Sequence, residues 1–260
     1  MVTETKARHE KLLHHLLKDG AIDVELMAVE LGVSASTVRR GLRDLENRGL
    51  LRRTHGGAVP VETSFYEPFR YDASFVQQDA VRTDEKRRIG LAAAELVQEG
   101  EIVAISAGTT ATQVARCLRH RSGITIVTNA VNVAMELSNS SGLRVISTGG
   151  VLSGSWFSLL GPVAIRTVEE FFFDWAFIGV DGIHASRGVT SHHQDEAALN
   201  RAMICHSRKA IAVADHSKLN QLARSHVSPL SDISQLITDT AALPGDLDAF
   251  VEHGLKVEAV

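Results

Sequence analysis

The chain has 260 residues, 44% of them hydrophobic and 22% charged, a composition suited to a folded globular protein of one large or two ordinary domains. No apolar run is long enough to span a bilayer, the N-terminal stretch lacks the apolar core of a secretory signal, and Cys117 and Cys205 form neither a disulfide framework nor metal-ligand spacing. The net charge of −4 divides unevenly: residues 1–57 carry +2, residues 58–260 carry −6, and residues 31–57 alone carry +4, which excludes a general polycation and points to a focused contact with a polyanion.

Residues from about 5 to 18 read as a helix with an apolar stripe of Leu12, Leu13, Leu16 and Leu17, ended by Asp19-Gly20. Ala21-Ile22 is a candidate short strand. Asp23 to Leu31 reads as a short helix, broken at Gly32-Val33, and Ser34 then stands where an N-cap belongs. In the helix that follows, at about 100° per residue, Val38, Leu42 and Leu45 share one side. Ser36, Arg39, Arg40 and Arg43 share the other. Gly49 is a candidate helix stop, and residues from about 50 to 60, with Arg52 and Arg53, form a basic wing ending at Pro60. Helix, short turn and second helix is a layout that reads the major groove, where arginine bridges guanine O6 and N7 or clamps a phosphate. Three arginines alone are more simply a solvated face. The turn, the cap and the basic wing together favour DNA.

Ser36-Thr37-Val38-Arg39-Arg40-Gly41-Leu42, then Leu45, then Gly49-Leu50-Leu51-Arg52-Arg53-Thr54-His55-Gly56-Gly57-Ala58, resembles the winged helix-turn-helix signature of the DeoR family. The resemblance implies that Ser34, Ser36, Thr37, Arg39, Arg40, Arg43, Arg52, Arg53 and His55 face double-stranded operator DNA. Gly41 stands where the family usually has Asp.

Residues 61–80, with Tyr66, Pro68 and Tyr71, show no clear period and read as a linker between a DNA-binding domain at 1–60 and a second domain at 81–260. Thr83 to Val97 reads as a helix capped by Thr83 or Asp84, with Ile89, Ala93, Leu96 and Val97 on one face. Strands then alternate with helices. The strands are expected at Ile102–Ile105, Ile124–Val127, Leu143–Ile146, Trp175–Val180, Ala210–Ala214 and Leu236–Thr238. The helices include Thr110–Leu118, Val131–Leu137, Val163–Phe171 and Glu196–Ser207. Short apolar strands alternating with helices imply an α/β domain with a mainly parallel sheet.

Ligands of such sheets bind beyond the carboxyl ends of the strands. Those ends carry Ser106-Ala-Gly-Thr-Thr110, Thr128-Asn129, Thr148-Gly149-Gly150, Asp181-Gly182 and Asp215-His-Ser-Lys218. Gly108, Thr109 and Thr110 open a helix and suit an anion. Lys218 adds a point charge for phosphate. Asp181 and Glu196 suit sugar hydroxyls, which donate to carboxylates. A phosphorylated sugar or polyol satisfies both halves. Each loop alone has a structural explanation: Ser and Thr cap helices, Asp215 can cap its turn, and Gly149-Gly150 can form a hairpin. His192 and His193 are adjacent, lack a spaced third ligand and read as loop residues, so no metal site is expected.

Ala107-Gly-Thr-Thr110, Thr128-Asn129, Gly149-Gly150, Phe177-Ile-Gly-Val-Asp-Gly182, Glu196, Met203 and Ala214-Asp215-His-Ser-Lys218 are similar to the DeoR-family effector domain, a relative in fold of ribose-5-phosphate isomerase. Ser106 replaces the family's usual Asp. The resemblance implies a repressor of sugar-catabolism genes released by a phosphorylated sugar, with Ser106, Thr128, Asn129, Gly149, Gly150 and Asp215 joining the effector site. A sugar-phosphate isomerase with an accessory DNA-binding domain is the alternative, with Asp181 and Glu196 moving protons. No catalytic residues and no cofactor are expected. The setting is a reducing cytoplasm with no membrane partner, and paired half-sites imply a homodimer or homotetramer.

Overall fold

The computed structural model describes residues 2–61 and 73–260, and they divide into two compact units, Met1–Tyr66 and Glu67–Val260. Of the expected linker, residues 62–72, including Tyr66, Pro68 and Tyr71, lie outside the described residues.

The first unit runs α1 (Val2–Asp19), β1 (Ile22–Asp23), α2 (Val24–Leu31), α3 (Ala35–Asn47), β2 (Arg52–Arg53) and β3 (Gly57–Val59). Its core is Leu12, Leu13, Leu16, Met27, Val38, Leu42, Leu45 and Leu51, with neighbours from α2 and β1; Leu17 is only half-buried. The helix ends follow from side-chain chemistry. Asp23 accepts from the amides of Glu25 and Leu26 at 2.9 and 3.0 Å, and Ser34 accepts from the Thr37 amide at 3.3 Å. At the far end of α3, Gly49 adopts φ +68°, its amide reaching Glu46 O and the Leu50 amide reaching Leu45 O, a Schellman closure. β3 lies between β1 and β2, both antiparallel to it. A Cβ at Gly57 would stand 1.6 Å from the Ile22 carbonyl oxygen, so only glycine allows this strand approach.

Helix α3 continues unbroken through Gly41. A Cβ there would meet Leu12 Cδ1 at 3.1 Å and His9 Cδ2 at 3.5 Å, so α1 occupies the space that a larger residue would need.

The described part of the second unit opens with α4 (Ala73–Ala80), a helix where the sequence showed no clear period. The eight residues bury Phe75, whose ring meets Phe157 edge-on at 5.3 Å. α5 (Thr83–Glu95) follows, with Ile89, Ala93 and Val97 buried and Leu96 half-buried. The expected cap is corrected. Arg82, at φ 55°, precedes the helix without a side-chain cap, and Thr83 Oγ1 instead donates back to the Asp79 carbonyl.

β4 (Ile102–Ile105), β5 (Ile124–Thr128), β6 (Leu143–Ser147), β9 (Phe173–Gly179), β12 (Ser207–Val213), β14 (Gln235–Thr238) and β15 (Lys256–Ala259) form one sheet. The order is β15-β14-β12-β9-β4-β5-β6, with every pairing parallel. α6 (Thr109–Leu118), α7 (Val131–Leu137), α8 (Pro162–Glu169), α9 (Gln194–Cys205) and α10 (Pro244–Glu252) occupy connections between its strands. Val103, Ala104, Ile105, Ile126, Val127, Ala176 and Ile178 are fully buried, as a sheet covered on both faces requires. Cys117 is buried in α6 and its thiol is pushed up to about 12 by burial, whereas Cys205 is exposed at the end of α9.

Two small antiparallel features stand beside the large sheet, the first being the hairpin that Gly149-Gly150 allowed and the second unexpected. β7 (Val151–Ser153) pairs with β8 (Ser158–Leu160), and β10 (Gly182–His184), β11 (Gly188–Ser191) and β13 (Ser225–Ser228) form a three-stranded sheet.

Candidate functional site: a basic helix face and a polar pocket

On α3, Arg39, Arg40 and Arg43 are exposed opposite buried Val38, Leu42 and Leu45, with Ser36 also exposed. The five arginines of this face, on the helix and the wing, differ in their surroundings. Arg39 Nη2 donates to Glu25 Oε1 at 2.8 Å, and Arg53 Nε donates to Glu46 Oε2 at 2.6 Å. Arg40, Arg43 and Arg52 have no ion pair among the described residues. Ser34 Oγ lies 2.8 Å from Ser36 Oγ and 2.9 Å from Thr37 Oγ1, so both hydroxyls brace the helix start. His55 is exposed at the wing tip. This face can set guanidinium groups against base edges while the wing meets the phosphate backbone.

The pocket of the second unit sits at the carboxyl edge of the large sheet. It is open, with a volume of about 660 Å³ including its mouth. Gly108, Thr109, Thr110, Asn129, Asp181, Glu196 and Lys218 line it, together with Gln78, Trp156, Ser191 and Asn200. Gly108 precedes α6 at φ +124°, a conformation open to glycine, and the first amides of α6 lack partners within the helix. That end of the pocket offers donors and a positive dipole to an anion. Lys218 is carried by a one-turn 3-10 helix, His216–Lys218, fixed by Asp215 accepting from the Ser217 amide at 3.1 Å. Asp239 also fixes it, accepting from the His216 amide at 2.7 Å and lying 2.8 Å from its Nδ1.

Asp181 and Glu196 meet through one hydroxyl. Ser191 Oγ donates to Asp181 Oδ2 at 3.0 Å and lies 3.4 Å from Glu196 Oε2, while Ser158 Oγ donates to Glu196 Oε1 at 3.0 Å. Burial raises the Glu196 carboxyl above its ordinary range and the Asp181 charge adds to this; the hydroxyls of Ser158 and Ser191 and the charge of His193 oppose it. The His192 amide donates to Asp181 at 2.7 Å, and His193 directly precedes α9.

Five expected site residues lie outside the pocket lining. Ser106 is buried beneath it, its hydroxyl accepting from the Gly179 amide at 2.9 Å and donating to Ala107 O at 3.1 Å; it holds the ends of β4 and β9 together. Thr128 Oγ1 donates to Ile105 O and accepts from the Ala130 amide. Gly149 and Gly150 carry the chain into the β7–β8 hairpin, where a Cβ on Gly150 would stand 2.5 Å from Leu160 O. Asp215 is buried as the cap of the Lys218 turn.

Lys86 escaped the sequence reading. It is 2% exposed on α5 and its ammonium donates to the Gln78 carbonyl. Burial lowers its pKa, against the opposing pull of Asp215 and Asp79. Its bond ties α5 to α4, which supplies Gln78 to the pocket. Arg116 adds a second anchor for α4, forking between Asp79 at 3.2 Å and Glu136 at 2.8 Å. Asn200 was detectable, since it lies four residues after Glu196 on the same helix face; Gln78 and Trp156 had no sequence signal.

Among the described residues, no group of His, Cys, Asp and Glu is placed to hold a metal ion, and no helix is long and apolar enough to cross a membrane. The family model described as "DeoR-like helix-turn-helix domain" matches residues 8–64, and that described as "DeoR C terminal sensor domain" matches residues 81–240. The chain is 37% identical over 226 residues to the HTH-type transcriptional regulator GlpR of Haloferax volcanii, covering 87% of this chain and 84% of that one. It is 29% identical over 251 residues to the glycerol-3-phosphate regulon repressor of Escherichia coli K12, covering 96% and 97%. Among solved structures, ribose 5-phosphate isomerase A of Neisseria gonorrhoeae overlaps at a TM-score of 0.38 and 18% identity, covering 54% of this chain and 53% of that one.

Proposed function

The chain belongs to the DeoR family of DNA-binding transcriptional regulators and is not an enzyme, and from that premise we propose that it represses a sugar-catabolism operon and is released from its operator by a phosphorylated sugar or polyol. The observation that carries this reading is the division of the pocket: an anion-binding helix start with Lys218 on one side, a carboxyl pair, Asp181 and Glu196, on the other. A phosphate takes the amides of Thr109 and Thr110 and the ammonium of Lys218. Sugar hydroxyls donate to Asp181 and Glu196.

Exposed Arg40, Arg43 and Arg52 bring whole guanidinium groups to operator DNA, while Arg39 and Arg53 each give part of theirs to a carboxylate, Glu25 and Glu46. We assign DNA recognition to residues 1–60 and effector binding to residues 81–260, with α4 as the pocket-side end of the connecting segment. The protein works in the cytoplasm as a homodimer or homotetramer, since paired half-sites call for paired recognition helices.

Release requires that the effector bind the DNA-incompetent state more tightly; couplings of this kind are about 1–3 kcal/mol. Gln78 gives α4 a direct place in the pocket wall, and Lys86 and Arg116 hold the helix from behind. Lys218→Ala tests the reading by calorimetry of sugar phosphates paired with a gel shift. The variant keeps operator binding and loses release. A variant released like wild type, or one that cannot bind DNA, contradicts the assignment.

A further inference from the structure

Two hydrogen bonds join the last turn of α3 to the wing. Glu46 Oε1 accepts from the Arg53 amide at 3.0 Å, and Glu46 Oε2 accepts from Arg53 Nε at 2.6 Å. β2 is the outer strand of the β1-β3-β2 sheet, so its outward backbone donors have no strand partner. The carboxylate takes one of them. These bonds, the backbone one first, hold the Glu46 carboxyl below its ordinary range.

The geometry uses only the Nε edge of the guanidinium. The two Nη groups of Arg53 have no partner among the described residues, and the side chain is 38% exposed. An arginine oriented this way keeps a two-pronged donor edge for a phosphate. The pair Arg39–Glu25 differs. It rests on one side-chain contact between residues 58% and 71% exposed, with no backbone donor, and such surface pairs order little.

We propose that Glu46 is a positioning residue for DNA binding: it fixes the wing against the recognition helix and presents the Nη edge of Arg53 to the phosphate backbone. This rests on the DNA-binding assignment of the α3 face. Two effects of the carboxylate oppose each other. Its charge repels DNA, so charge alone makes its removal strengthen binding. Its hydrogen bonds order the wing, so their loss weakens binding.

The sign of the change therefore decides the matter. Full-length wild type, Glu46→Gln, Arg53→Ala and the double variant are titrated against an arbitrary-sequence DNA duplex by fluorescence anisotropy over a salt series. Glu46→Gln is expected to weaken binding roughly fivefold, the loss of one ordinary hydrogen-bonded contact, and to flatten the log–log salt slope by up to about 0.9, the share of one phosphate. The double variant is expected to bind no more weakly than Arg53→Ala. Equal or tighter binding by Glu46→Gln, or losses that add in the double variant, would overturn the proposal. Thermal melting of each variant separates wing ordering from unfolding. If Glu46→Gln unfolds, Glu46→Asp takes its place: it keeps the charge, shortens the reach and is expected to weaken binding, and unchanged binding overturns the proposal. An Arg39/Arg40/Arg43 triple alanine variant that binds the duplex like wild type contradicts the DNA-face assignment itself, a different failure from either result at Glu46.

Discussion

Leu42→Ala is the sharpest perturbation of the DNA-reading unit. Leu42 is 1% exposed and belongs to the cluster that seats α3 on α1 and α2. Truncating a buried leucine costs about 2–5 kcal/mol through lost transfer energy and the cavity left behind. A unit of some sixty residues holds roughly 3–9 kcal/mol in total at ~0.05–0.15 kcal/mol per residue. The change therefore removes between a quarter and all of its stability. For a domain this small each kcal/mol shifts the midpoint by about 4–8 °C, so a loss of 3 kcal/mol lowers it by about 12–24 °C. The second unit has its own core around β4, β9 and β12 and is expected to melt unchanged. Calorimetric scans with a gel shift on the promoter upstream of its own gene read both effects. The lower transition falls and operator binding is lost at 37 °C, while the pocket keeps its ligand. If both transitions move together, or if operator affinity stays within twofold of wild type, the separation into two folding units is refuted.

Other consequences are more local. Arg40→Ala is expected to weaken operator binding by roughly 1–3 kcal/mol if it reads a base, measured by anisotropy against an operator and an unrelated duplex. Arg52→Ala is expected to weaken both duplexes alike and to flatten the salt dependence. Glu196 has a folded pKa above its ordinary 4.5, so its contribution to stability is present below that pH and lost as the pH rises through the folded value. Glu196→Gln is therefore expected to raise the melting temperature of the second unit at pH 7, with the gain shrinking towards pH 4, while binding the effector less well. Gly41→Ala trades a helix-propensity gain of about 1 kcal/mol against Leu12 Cδ1 at 3.1 Å from the new Cβ; an unfolding free energy, read from urea titration, changed by less than about 1 kcal/mol is expected.

The sequence made the parallel sheet readable because its inner strands are unbroken apolar runs. β4 was expected at Ile102–Ile105 and α7 at Val131–Leu137, and both stand there. The β10-β11-β13 sheet was hidden because residues such as Ser191, Ser225 and His226 give neither alternation nor an apolar run. α4 was hidden because, among its described side chains, Phe75 alone is buried. In the pocket, the helix-opening Gly108-Thr109-Thr110 and the turn with Lys218 were legible as local chemistry. Lys86 was not, since it begins the run Lys86-Arg87-Arg88 that looks solvated, and only the fold places Asp79 and Asp215 about it. The partition of the arginines was equally invisible, because Glu46 and Arg53 are seven residues apart and meet only when the wing folds back.

The central claim is that one chain couples a phosphate-selective pocket to DNA. Its most direct test is a titration of the protein–operator complex, followed by anisotropy, with sugar phosphates such as hexose 6-phosphates and glycerol 3-phosphate and, in parallel, their unphosphorylated parents. Release by at least one phosphate ester at a concentration where its parent leaves the complex intact is the expected result, and it should disappear in Lys218→Ala. Equal release by ester and parent, or release that persists in Lys218→Ala, would contradict it.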